Sequence, residues 1–250
     1  MAANETHVDS LPKTGLLLIG MGLGRMEGMT LEALEAATLA DHRRYEAYTA
    51  LWPEAELARL EAKVGPIQRV MRPEVEDPAE LLELAASSLV ALLVVGDPLQ
   101  ATTHVDLQLR AAEVGVPCRV LHGVSITTLV TGAVGLSNYK FGRQTTFTYP
   151  YGNWIATSPL EVVASNWSQN LHSLVLLDLD PTGQGIGDQR PMTPADAVRS
   201  LGMMWHSMQT NEADGSAEDA SATAFQRSMQ TDFLEQSMEA MQVVLCSDMG

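Results

Sequence analysis

The stretch VVGDPLQATTH, Val94–His104, decides the fold. It closes an apolar run that begins at Leu89, long enough for a buried strand and too short for a core helix. The run stops at a Gly-Asp-Pro turn, then offers two threonines and a histidine where a helix should start. A buried strand that turns into a helix is half of a βαβ unit and implies a parallel sheet. Ligands of open α/β sheets bind beyond the carboxyl ends of the strands, and Asp97 stands there. Aspartate in a Gly-Asp-Pro turn is also a common structural device, so alone it reads either way.

Working outward, strand-like and helix-like segments alternate. GLLLIGMG, Gly15 to Gly22, reads as a second buried strand. Thr30 can cap a helix with Leu31, Leu34 and Leu39 on its apolar side. Another helix runs from Pro53 past Leu57, Leu60 and Val64. Asp77-Pro78-Ala79-Glu80, Ser158-Pro159-Leu160-Glu161 and Thr193-Pro194-Ala195-Asp196 share a start signal: a capping side chain, proline at N1 and an acid at N3. Further strands are expected at about Leu89–Val95, Cys118–Leu121, Thr145–Tyr149 and Leu174–Leu179. The fold class is α/β with two α/β domains, a parallel sheet in the first and a mixed sheet in the second. The switch lies near His122 to Ser125. This sets a disordered tail at 1–14, an N-terminal domain at 15–122 and a C-terminal domain at 123–250. The polar segment Asn211 to Thr223 reads as a mobile loop.

Composition excludes several classes. The net charge of −16, from 15 basic and 31 acidic residues, argues against a nucleic-acid footprint. Only three lysines, Lys13, Lys63 and Lys140, stand against twelve arginines. No apolar stretch approaches the roughly 20 residues of a membrane helix. Two distant cysteines, Cys118 and Cys246, make no disulfide framework and point to a reducing cytoplasm.

The motifs narrow the chemistry. GMGLG after the first strand lacks the third glycine of a dinucleotide fingerprint, where Arg25 stands, so it reads as a tight turn. No Walker A lysine is present. Six scattered histidines with no i, i+4 pair give no metal site, and no G-x-S-x-G elbow supports a serine nucleophile. HGVSITT, His122 to Thr128, is more promising. Gly123 permits close backbone approach, and Ser125 can begin a helix whose free amides would meet a polar ligand. Asn138 to Trp154 is the densest aromatic stretch, a hydrophobic hairpin or a substrate-facing surface.

These words in this order resemble the diphthine synthase family of tetrapyrrole methylase-like, S-adenosylmethionine (SAM)-dependent methyltransferases. The resemblance rests on LIGMGLG, YEAYT, VVGDPLQATTHVDLQLRA, HGVSI, GLSNYKFGRQTTFTYPYGNW, LHSLVLLDLD and MTPADAV, from Leu16 to Val198. It implies two α/β domains with SAM in the cleft between them. Carried over position by position, the SAM contacts fall on Leu23, Asp97, Gln100, Ser125, Ile126, Leu177 and Met249. Gln100 departs from the small apolar residue frequent there. SAM carries no phosphate, so a lysine cradle is not wanted, whereas a carboxylate and backbone groups suit it.

The implied reaction is successive methylation of an amine on elongation factor 2. The amine belongs to the 3-amino-3-carboxypropyl group of a modified histidine, and the product is diphthine, with three additions. The protein substrate, a homodimer and no metal follow from the same resemblance. No catalytic base is identified; Tyr139 or Tyr149 could orient the amine. The alternatives are a tetrapyrrole (precorrin-type) methyltransferase or an inactive SAM-binding homologue. The family continues past the point where this chain stops, so a truncated second domain is expected.

Overall fold

The computed structural model describes residues 11–183, 186, 189–214, 232–236 and 238–246. The chain forms two compact units, one built on residues up to Leu129 and the other from Val130 onward.

The first unit is a five-stranded, wholly parallel sheet. Its strands are β1 (Gly15–Gly20), β2 (His42–Glu46), β3 (Ile67–Val70), β4 (Leu89–Val94) and β5 (Cys118–Leu121), in the order β3-β2-β4-β1-β5. Every residue of β1 and β4 is buried, because helices cover both faces. Leu17, Ile19, Ala91 and Leu93 face the layer of α1 (Leu31–Leu39) and α2 (Glu54–Val64). Leu16, Leu18, Leu92 and Val94 face α3 (Arg72–Glu76), α4 (Ala79–Ser87) and α5 (His104–Glu113). Each such leucine contributes about 1.5–3 kcal/mol by leaving water.

Two details depart from expectation. Thr30 does cap α1, its hydroxyl oxygen accepting the Ala33 N–H at 3.1 Å, but the helix buries Ala33, Ala36 and Ala37. Leu31 and Leu39 are exposed. Alanines bring this helix close to the sheet; Leu31 and Leu39 are turned outward, while Leu34 is half-buried against the core. The strand β2 carries an unusual sequence, HRRYE, with Arg43 and Glu46 both buried. The Arg43 guanidinium donates to the carbonyls of Ala37, Thr38 and Ala40, satisfying the orphan end of α1.

The second unit pairs β6 (Thr145–Phe147) with β7 (Val175–Leu177) in parallel, so the mixed sheet expected there is not seen among the described residues. Its core joins Phe147, α7 (Ser158–Ser168), α8 (Pro194–Asp214) and Phe233. Buried Asn166 ties α7 to the approach of β6. Its amide donates to the Arg143 carbonyl (2.8 Å) and the Ser173 hydroxyl (2.9 Å), and its oxygen accepts the Arg143 N–H (3.0 Å).

The helix starts α4, α7 and α8 fall at the expected prolines, yet only the third shows the reciprocal bonds. Asp196 accepts from the Thr193 N–H at 3.0 Å, and its own N–H reaches the Thr193 hydroxyl at 3.2 Å. At α7 the hydroxyl of Thr157, not that of Ser158, bonds Glu161. The aromatic stretch is split: Phe147 and Tyr149 are buried, whereas Tyr139, Tyr151 and Trp154 are exposed.

Candidate functional site

At the carboxyl end of the first unit's sheet, the loops following β4, β1 and β5 meet at three glycines. Gly20 closes β1, Gly96 follows β4 and Gly123 follows β5. A Cβ on Gly123 would lie 2.3 Å from the Gly96 carbonyl oxygen and 2.9 Å from the Gly20 Cα. One on Gly20 would lie 2.5 Å from the Gly123 nitrogen. Backbone presses on backbone, so neither position has room for a side chain. Gly22 and Gly96 exchange N–H···O bonds of 3.2 and 2.9 Å, and both hold left-handed φ, +69° and +76°.

Asp97 is the polar centre of this junction. Its carboxylate is buried; Oδ1 accepts the Leu99 N–H at 2.9 Å, and Oδ2 accepts the Gly123 N–H at 3.2 Å. His122 Nδ1 lies 2.8 Å from the same Oδ2. The bond to Leu99 sets the Gly-Asp-Pro turn, and that to Gly123 clamps the end of β5. A carboxylate offers about four acceptor positions, three of which are taken, so one remains on Oδ1 for a ligand donor.

The other expected contacts distribute as follows. Ser125 is buried at the start of α6 (Ile126–Ala133), where its hydroxyl oxygen accepts the Thr127 N–H (3.3 Å) and bonds the Thr127 hydroxyl (2.9 Å). Gln100 is exposed, its amide oxygen 3.5 Å from the Thr127 hydroxyl, at the outer limit of a hydrogen bond. Leu23 is half-buried in the bend between Gly22 and Gly24, and Ile126 is half-buried in the first turn of α6. These five residues lie on the three joined loops. Leu177 ends β7 in the second unit, and Met249 lies outside the described residues.

Several titratable groups are accounted for elsewhere. The Tyr149 hydroxyl donates to the Arg190 carbonyl at 2.9 Å, and Tyr139 is 92% exposed. Burial pushes the Cys118 thiol up to about 11, which removes it as a thiolate nucleophile. His104 is buried with Nδ1 3.0 Å from the Pro98 carbonyl; burial lowers its pKa and keeps the ring neutral. Among the described residues no group of three or more His, Cys, Asp or Glu gathers as a metal site.

Two features escaped the reading of the sequence. One is the pairing of His122 with Asp97: the sequence offers Asp97 as a ligand contact and His122 as an isolated histidine, with nothing to join them. The other is Glu46, the wholly buried last residue of β2. Its Oε2 accepts from the Thr49 hydroxyl at 2.8 Å, and its Oε1 has no partner. Burial pushes this carboxyl up to about 7, against the pull of Thr49 and Arg72. A polar pair at the end of HRRYE was the available signal.

Known proteins share this fold. The family of tetrapyrrole (corrin/porphyrin) methylases matches residues 15–204. A diphthine synthase of Methanoregula boonei is 38% identical over 191 residues, covering 76% of this chain and 74% of the relative. One of Methanocorpusculum labreanum is 40% identical over 166 residues, covering 66% of each chain, so its matched part falls just short of two thirds of its length. A crystal structure of diphthine synthase superimposes with a TM-score of 0.67 at 34% identity, covering 77% of this chain and 72% of that one. The chain therefore belongs to the tetrapyrrole methylase family and, within it, to the diphthine synthases.

Proposed function

We propose that this protein is the SAM-dependent methyltransferase that makes diphthine in diphthamide biosynthesis. Its substrate is translation elongation factor 2, at the amine of the 3-amino-3-carboxypropyl-histidine, which it methylates successively. The observation that carries this reading is the junction of Gly20, Gly96 and Gly123 around the buried carboxylate of Asp97. The site offers backbone groups, one free carboxylate position and no lysine, which suits a phosphate-free ligand bearing a sulfonium and a ribose. SAM supplies an already activated methyl group. The chain's task is to hold the acceptor amine in line with it, and orientation of that kind contributes on the order of 7–11 kcal/mol.

In this reading Leu23, Asp97, Gln100, Ser125 and Ile126 hold SAM from the N-terminal methylase domain, residues 15–122, and the start of the next. Leu177 and Met249 contribute from the C-terminal domain. The enzyme works as a homodimer in the cytoplasm without nucleic acid or membrane. Among the described residues no helix is long and apolar enough to cross a membrane. Light scattering is expected to give twice the 27.0 kDa chain mass, and a lone monomer at micromolar concentration would refute the dimer.

The decisive experiment incubates the protein with SAM and elongation factor 2 carrying the unmethylated group, followed by mass spectrometry. One, two and then three methyl increments on that histidine are expected. Methylation of a precorrin instead would assign a tetrapyrrole substrate. SAM binding with transfer to neither would mark an inactive homologue.

Asp97→Ala is expected to weaken SAM binding by 10- to 150-fold, about 1.5–3 kcal/mol for one charge-assisted hydrogen bond. The melting temperature should fall as well, because the Leu99 and Gly123 N–H groups lose their acceptor. Asp97→Asn offers no relief, since its NH₂ would face one of those donors. Calorimetry showing equal dissociation constants for Asp97→Ala and the parent would remove Asp97 from the site.

A further inference from the structure

We infer that His122 is the catalytic base of methyl transfer, its Nε2 taking the proton from the acceptor ammonium, and that Asp97 is the residue that positions it. The inference rests on the methyltransferase reading above.

The geometry is that of an oriented imidazole. The ionised carboxylate of Asp97 can only accept, so His122 Nδ1 carries the hydrogen in their 2.8 Å bond. The neutral ring then has its lone pair on Nε2. Asp97 itself is immobile, held by the Leu99 and Gly123 N–H groups, while the His122 side chain is 70% exposed. A buried acid thus fixes the tautomer and the direction of an exposed base. An acid that holds the tautomer and direction of a histidine is the arrangement of the acid–His pairs of nucleophilic enzymes.

A purely structural role explains less. The turn after β4 and the end of β5 are already tied by backbone N–H bonds to the same carboxylate. The imidazole reaches the buried carboxylate from a side chain that is itself 70% exposed, and an exposed partner of this kind adds little to stability. Other titratable groups among the described residues are poorly placed: Glu46 and His104 are fully enclosed, and the Tyr149 hydroxyl is engaged with a carbonyl. His122 also sits directly before Gly123 and Ser125, on the loop proposed to hold the methyl donor.

The proton balance requires such a group. An alkyl amine is an ammonium near neutral pH and has no lone pair to give. Nε2 removes one N–H proton, and the freed nitrogen lone pair attacks the methyl carbon. The carbon–sulfur bond breaks with its electron pair going to sulfur, which neutralises the sulfonium. The nitrogen is again cationic, and the imidazolium returns its proton to solvent before the next cycle. Three methyl groups enter and three protons leave.

Two variants separate the roles. His122→Asn presents an amide N–H in the place of Nδ1–H and keeps the bond to Asp97, but it has no base. His122→Ala leaves space for free imidazole. Both should bind SAM within about twofold of the parent by calorimetry and melt at the parent temperature, as substitutions at an exposed side chain do. Both should lower kcat on modified elongation factor 2 by about 100-fold or more. Added imidazole should restore His122→Ala in proportion to its concentration. Parent-like kcat in His122→Asn would overturn the proposal, and so would a loss in His122→Ala that imidazole does not relieve. If the parent itself transfers no methyl group while binding SAM, the methyltransferase reading fails first and takes the base with it.

Discussion

Gly123→Ala is expected to lower the melting temperature by about 5–10 °C and to abolish most SAM-dependent stabilisation. The new methyl carbon would sit 2.3 Å from the Gly96 carbonyl oxygen, with the Gly20 backbone 2.9 Å away on its other side. A misplaced side chain can change rotamer, but here all the near atoms are main chain. Three strand ends must therefore separate. Overpacking ordinarily costs about 1–3 kcal/mol, and the rigid neighbours put this site at the upper end or beyond. The φ of Gly123 is not left-handed, so the effect is steric and not conformational. The movement also pulls the Gly123 N–H from Asp97, which couples stability to ligand binding. Gly132→Ala is the matched control. It lies in α6 with nothing within 4 Å of a Cβ, and it should be neutral or stabilising by up to about 1 kcal/mol. Scanning calorimetry with and without SAM checks both. Parent-like melting and SAM response in Gly123→Ala would show that the close approach of the strand ends is dispensable.

Why part of this site was legible in the sequence follows from the same contact. The strands β1 and β4 are buried on both faces, so their apolar runs read directly, and the turn residues after them mark the carboxyl edge of the sheet. Gly123 and Ser125 were visible as a close-approach glycine and a helix start. The pairing of Asp97 with His122 was not, because it depends on strand order. Asp97 follows β4 and His122 follows β5, with β1 between them. The carboxylate reaches across the end of β1 because that strand stops at a residue without a side chain. No local pattern encodes an adjacency created by the third strand.

The misread elements have equally specific causes. Leucine spacing in α1 suggested an apolar side, yet the alanines one and two positions away are the residues that approach the sheet. The strand β2 was hidden by its polarity. Arg43 is buried because three helix-end carbonyls need a donor, a demand that arises only once α1 and β2 are adjacent. The fold thus places polar residues inside a strand for reasons of tertiary structure, and Glu46 is the most consequential of them.

Glu46→Gln is expected to remove a stability change of about 3 kcal/mol that the parent undergoes between pH 4.5 and 7. The unfolded carboxyl titrates at its ordinary value of 4.5, and burial raises the folded one to about 7. Below pH 4.5 both states hold the proton and ionisation costs nothing. Between the two values the folded state keeps a proton that the unfolded state has released, so each pH unit lowers stability by up to about 1.4 kcal/mol. Above 7 both are ionised, and the penalty of a buried charge is constant. Glutamine titrates in neither state. Its oxygen can still accept from Thr49, while its NH₂ takes the place of the unpartnered Oε1 at a pH-independent cost of about 1–3 kcal/mol. The variant should therefore be the weaker protein at pH 4.5 and gain about 3 kcal/mol on the parent by pH 8. His104 bends stability the other way, because its lowered folded pKa removes stability as pH falls through the unfolded value of 6.5. That contribution is common to both proteins and cancels in their difference. Urea midpoints of the pair at pH 4.5, 6, 7 and 8, at constant m-value, read the effect directly. A difference that stays flat across this range would show that the Glu46 carboxyl titrates as an ordinary carboxylate, and that solvent reaches the end of β2.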